Sequence, residues 1–127
     1  MTEAVSVRIL CVEDDKDSRD VMIALLSEGG RKVVTASTPT EGLELAKGGG
    51  FTLIVLDNWY EKGSGVELCK QIRMFEPDLP IVFYSGAADQ SEIRSGLAAG
   101  AQAYLIKPYI EKLVSTVSQL IQKESVG

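Results

Sequence analysis

Phe51-Thr-Leu-Ile-Val-Leu-Asp57 is the stretch on which the fold turns. Its apolar and β-branched residues lead into one aspartate, and the polar, glycine-bearing segment 58–65 follows. A run with so few polar interruptions suits a strand buried on both faces. Asp57 then stands at the carboxyl end of that strand, the edge at which open α/β sheets bind ligands. This makes Asp57 the candidate for the reacting atom, and the other elements can be placed around it.

Upstream, Val7-Arg-Ile-Leu-Cys-Val12 reads as a first strand ending in the acidic run Glu13-Asp14-Asp15. From Lys16 to Glu28, apolar residues at helical spacing predict a helix stopped by Gly29-Gly30. Lys32 to Ala36 is a second strand. Thr38-Pro39-Thr40-Glu41 opens a second helix, with a Thr cap, Pro at the first helical position and Glu three residues after the cap. Downstream of Asp57, Ser64-Gly-Val-Glu67 repeats the capping pattern, and that helix closes by Pro77. Ile81 to Ser85 is a fourth strand. Asp89-Gln-Ser-Glu92 is a third capping pattern, opening a helix that runs to Gly100. Ala103 to Lys107 is a fifth strand, cut by Pro108. A last helix runs from Ile110 to about Lys123, with Glu124 to Gly127 expected to fray. Short strands alternating with helices imply a parallel sheet, right-handed crossovers and helices on both faces.

Composition narrows the function. The chain of 127 residues fits one domain with a real core. Its net charge of −5 argues against direct nucleic-acid binding, which needs clustered Lys and Arg. No apolar run approaches the ~20 residues of a membrane span, and Met1 to Ser6 carries no signal-peptide pattern, so a cytoplasmic location is expected. Cys11 and Cys69 each sit in an apolar pattern and are expected to be buried and reduced. With no histidine in the chain, His-based acid–base catalysis, His metal ligands and a phosphohistidine of its own are excluded.

The polar residues at strand ends fall together. Glu13 and Asp14 follow strand one, Asp57 strand three, Ser85 strand four and Lys107 strand five. With a sheet order of 2-1-3-4-5, strands one and three meet at the topological switch point, and three carboxylates share one pocket. Two carboxylates ~4 Å apart repel by about 4 kcal/mol at an effective dielectric of 20. Lys107 supplies one compensating charge, and an oxygen-only site of this kind suits Mg²⁺. The acidic pair could also be Asp14-Asp15, but the end of the apolar run at Val12 favours Glu13-Asp14, leaving Asp15 or Asp17 to start the helix. Taken singly, Asp57 could be a helix cap, Lys107 a surface lysine and Ser85 a turn residue.

Together, Glu13-Asp14, Asp57, Gly65, Ser85-Gly86 and Lys107-Pro108, in this order and spacing, resemble the receiver domain of two-component response regulators. The resemblance covers about residues 7 to 122 of a single domain (1–127). It implies a flavodoxin-like (βα)5 doubly wound α/β fold with strand order 2-1-3-4-5. It also implies a phosphorelay signalling domain rather than an enzyme. Asp57 would be the phosphoacceptor, taking a phosphoryl group from a sensor histidine kinase or a histidine phosphotransfer protein. Asp14 would ligate Mg²⁺ directly, with Asp57 and the backbone carbonyl of Trp59, while Glu13 would assist through water. Lys107 would pair with a phosphoryl oxygen. Ser85 and Tyr104 would be the switch residues, and Lys107-Pro108 the family's cis bond. The face of helix four, strand five and helix five would meet a downstream protein target, or a second copy in a dimer.

Three departures from the family pattern lie close to Asp57 or Ser85. Glu61 replaces a proline, which suggests a looser loop. Trp59 is bulky where its side chain overhangs the site, and Gly86 is small. A haloacid-dehalogenase-like phosphatase would need a second aspartate at the position Trp59 occupies. A receiver-like fold that binds partners without phosphorylation would not need Asp14, Asp57, Ser85 and Lys107 intact.

Overall fold

The computed structural model describes residues 6–126, with side chains to residue 123. Five strands form one sheet: β1 (Arg8–Val12), β2 (Lys32–Ala36), β3 (Leu53–Leu56), β4 (Ile81–Ser85) and β5 (Ala103–Ile106). All pairings within it are parallel, in the order β2-β1-β3-β4-β5. The helices between and after them are α1 (Lys16–Leu26), α2 (Pro39–Gly48), α3 (Gly65–Arg73), α4 (Gln90–Ala98) and α5 (Ile110–Val126). This is the flavodoxin-like α/β arrangement expected from the sequence.

Alternation along the central strands builds the core twice over. Leu10, Val12, Ile54, Leu56, Ile81 and Phe83 point to one face, against α2, α3 and the end of α4. Ile9, Cys11, Leu53, Val55, Val82 and Tyr84 point to the other, against α1 and α5. Both faces are apolar because helices cover both, which is why β3 reads as an unbroken run. Each fully buried Leu or Ile contributes about 1.5–3 kcal/mol, so these strands dictate where their own ends lie. Asp57 follows immediately after β3 and inherits its place from that packing.

Helix starts agree with local chemistry. Asp15 caps α1, accepting from the Ser18 N–H at 2.9 Å. Thr38 caps α2, and Glu41 returns a bond from the Ser37 N–H. Ser64 caps α3 through the Glu67 N–H. At α4 the expected capping pattern is incomplete: Asp89 is the cap residue by backbone, but its side chain makes no capping bond, and Glu92 is engaged elsewhere. Helix α1 stops at Leu26, ahead of a 3₁₀ turn (Glu28–Gly30) in which Gly29 has φ 75°. Helix α5 is assigned from Ile110 to Val126, and the fraying expected over Glu124 to Gly127 falls on residues outside those whose side chains are described. The segment after β3, which carries Glu61, forms a small antiparallel ribbon of Trp59–Tyr60 with Gly63–Ser64. No described helix is long and apolar enough to cross a membrane.

Candidate functional site

The carboxyl ends of β1, β3, β4 and β5 converge on one pocket. Glu13, Asp14 and Asp57 each place one carboxylate oxygen within 4.8 Å of the others. Of the two candidate acidic pairs, Glu13 and Asp14 lie with Asp57 in the pocket, while the Asp15 side chain caps α1. Lys107 reaches in from beyond β5. Its Nζ donates to Glu13 Oε1 at 2.8 Å and to Asp57 Oδ2 at 2.9 Å, and lies 5.9 Å from the Tyr84 ring centre. The peptide bond between Lys107 and Pro108 is cis, as the family resemblance implies.

Burial sets the electrostatics. Glu13 is 1% exposed. Desolvation raises its carboxyl above the ordinary value near 4.5, against the opposing pull of Lys107 and of the Asp15 N–H. Burial also presses on the Lys107 ammonium, but its hydrogen bonds to Glu13 and Asp57 outweigh that and hold the proton more tightly. Among the described residues, ion pairs reach Glu13 and Asp57 but not Asp14. One lysine therefore faces three carboxylates. Asp14 is exposed, and its Oδ2 accepts from the Glu61 N–H at 3.1 Å. An all-oxygen, acidic donor set with one exposed ligand fits a small divalent cation.

Ser85 ends β4 and is 1% exposed. Its Oγ accepts from the Ala87 N–H at 3.1 Å, and its carbonyl takes the Lys107 N–H, which sets Ser85 beside Lys107. Tyr104 is half-buried and stacks on Phe83 at 5.2 Å between ring centres. Its hydroxyl donates to the Ala87 carbonyl at 2.6 Å. Burial raises this phenol above its usual value, while hydrogen bonds with Asn58 and Ser85 act the other way. Gly96 on α4 makes room for the ring, since a Cβ there would stand 2.8 Å from Tyr104 Cδ2.

Three residues carry more of the site than their types announce. The Asn58 N–H donates to Asp57 Oδ1 at 2.7 Å, and its buried amide donates to the Tyr104 hydroxyl at 3.1 Å and to Glu92. Trp59, 57% exposed, points its indole N–H at the Glu92 carboxylate, at 3.0 and 3.1 Å from the two oxygens. A cleft of about 270 Å³ opens beside this contact, lined by Asn58, Trp59, Glu92 and serines of α4. Tyr60 is buried and hydrogen-bonds the backbone at the ends of both β1 and β3. Desolvation holds its phenol well above the ordinary value. Only the ribbon that turns the chain back after β3 reveals this. Gly65 is required because a Cβ would collide with the Asp57 carbonyl oxygen.

The response regulator receiver domain family matches residues 9–118. Response regulator MprA of Mycobacterium sp. (strain KMS) is 36% identical over 120 residues, which are 94% of this chain and 52% of that protein. MprA of Mycobacterium tuberculosis (strain ATCC 25177 / H37Ra) is 35% identical over the same length and shares. The chain thus spans about half the length of the curated relatives it matches. A two-component response regulator from Clostridium difficile superposes with a TM-score of 0.88 at 28% identity, covering 94% of this chain and 98% of that one. A CheY-like receiver domain protein from Methanospirillum hungatei gives 0.86 at 29% identity, covering 96% and 99%. With the parallel sheet, the acidic pocket and these matches in agreement, the chain belongs to the receiver domain family of response regulators, the signalling domains of two-component systems.

Proposed function

We propose that Asp57 accepts a phosphoryl group from the phosphohistidine of a sensor histidine kinase or histidine phosphotransfer protein. One observation carries this reading: Asp57 Oδ2 lies 2.9 Å from Lys107 Nζ, with the Glu13 and Asp14 carboxylates grouped around it. An Asp57 carboxylate oxygen attacks phosphorus, the P–N bond of the donor breaks, and the imidazole leaves with that electron pair. A carboxylate nucleophile needs no separate base to activate it. Phosphoryl transfer asks chiefly for alignment and neutralised charge. Asp14, Asp57 and the Trp59 backbone carbonyl would hold Mg²⁺, with Glu13 assisting through water; the bound ion would neutralise charge on the phosphoryl oxygens. Lys107 would leave its bond to the Asp57 carboxylate and pair with a phosphoryl oxygen. The Asn58 N–H, already on Asp57 Oδ1, would steady the carboxylate during attack.

Ser85 and Tyr104 would then report the event. Ser85 would turn its hydroxyl to the phosphoryl group, drawing on the loop whose Ala87 carbonyl holds Tyr104. The face made by α4, β5 and α5 would change shape and meet a protein target or a second copy. A cavity of about 630 Å³ lies on that face, lined by Tyr104, Ile106, Tyr109 and Lys112 among others.

Incubation with Mg²⁺ and acetyl phosphate tests the chemistry. Intact-mass analysis should show one added phosphoryl group, absent in Asp57→Ala and absent with chelator. An increment that survives Asp57→Ala would put the phosphoryl group on another residue, and none in the wild type would favour a receiver-like fold that works by binding alone.

A further inference from the structure

The β1–β3 ladder ends on the pair Val12 and Leu56. Ile54 donates its N–H to Pro80, toward β4. By the two-residue alternation of a strand, the N–H groups of Leu53, Val55 and Asp57 therefore face β1. The next rung of a parallel ladder would join the Asp57 N–H directly to the Val12 carbonyl. The hydroxyl of Tyr60 stands in that rung instead. It accepts from the Asp57 N–H at 2.8 Å and donates to the Val12 carbonyl at 3.0 Å.

The wedge sits where the gap between strands matters. On the β1 side the next two residues are Glu13 and Asp14, and on the β3 side the next is Asp57 itself. One interposed oxygen satisfies both buried backbone groups and parts the two strand ends by its own width. Tyr60 is 7% exposed and fixed by the ribbon, whose Tyr60 to Gly63 pair turns its ring back under the site. Side chains that orient metal-binding groups without touching the metal commonly change metal affinity 10–100-fold when removed.

We propose that Tyr60 is a positioning residue whose hydroxyl, inserted between the Asp57 N–H and the Val12 carbonyl, sets the spacing of Glu13, Asp14 and Asp57 that admits a divalent cation. The inference rests on the Mg²⁺-dependent phosphoacceptor reading given above. Without the hydroxyl, the two backbone groups are left unpaired or close into a direct rung. Either change moves the carboxylates relative to one another.

The test is a Mg²⁺ titration of the wild type, Tyr60→Phe and Val117→Ala, followed through the emission of Trp59, the one tryptophan of the chain. Phosphorylation by acetyl phosphate at saturating Mg²⁺ and thermal unfolding in chelator accompany it. Val117 is buried on α5, away from the pocket, and its truncation lowers stability alone. Tyr60→Phe should bind Mg²⁺ about tenfold or more weakly, while Val117→Ala binds as the wild type does. Tyr60→Leu, which also lacks the hydroxyl, is expected to behave like Tyr60→Phe and replaces it if the latter does not fold. Unchanged Mg²⁺ affinity in the hydroxyl-free variant overturns the inference whatever its melting temperature, while leaving the phosphoacceptor reading intact. A wild type that binds no Mg²⁺ and takes no phosphoryl group overturns both.

Discussion

Glu13 is the most deeply buried ionisable group of the acidic pocket. Its raised carboxyl value, caused first by desolvation, means that the folded state holds the Glu13 proton more tightly than the unfolded chain. The contribution to stability is then fully present below the unfolded value and is lost as pH rises through the folded one. In chelator, urea stability of the wild type should rise relative to Glu13→Gln as pH falls from neutral toward 4.5. A difference that stays flat over that window would contradict the burial argument. The principal charged residues were legible in the sequence because each ends a strand, and strand ends follow from apolar runs. Asn58, Tyr60 and Glu92 were not legible in these roles. Their hydrogen bonds depend on where a ribbon turns and how near a helix lies, and residue type reveals neither.

At the scale of elements, the ribbon after β3 and the first turn of α4 are joined across the mouth of the site. Trp59 and Asn58 both reach Glu92, so two residues next to the proposed phosphoacceptor hold the helix that begins the proposed signalling face. The Glu92 side chain thus serves a neighbour 33 residues away in sequence rather than its own helix start. The caps of α1, α2 and α3 could be anticipated because each bond spans only three residues; a contact between distant elements has no such local signature. The indole so held should slow entry of water to the phosphoryl group. Trp59→Ala should lose its phosphoryl group about fivefold faster than the wild type, the rate equivalent of a contact worth ~1 kcal/mol. The loss would be followed by intact mass after removal of the donor. Equal or slower loss counts against this role.

Over the whole molecule, the sheet divides the core into two clusters that share strands but not side chains. Fold class was readable because double-sided burial leaves its mark in the apolar runs of β1, β3 and β4, whereas the sheet order came with the resemblance to receiver domains. The partner could not be read, since the surfaces on which partners act carry no comparable periodicity. The half of the curated relatives that lies outside the match is likewise a separate question from the chemistry of this pocket.

The two cysteines fall on opposite sides of that division. Cys11 packs among residues of α1 and α5, whereas Cys69 packs with α2 and α3 and lies 3.5 Å from the Ala99 carbonyl at the end of α4. Burial raises both thiols, that of Cys69 to about 11, so neither reacts until its own side of the sheet opens. The protein therefore holds two chemical clocks, one in each hemisphere. If phosphorylation loosens α4, a thiol-specific reagent should modify Cys69 sooner while the Cys11 clock keeps its pace. Peptide mapping of the modified protein would read both clocks from a single sample, with no engineered label, and equal acceleration at both sites would mean that the two halves open as one.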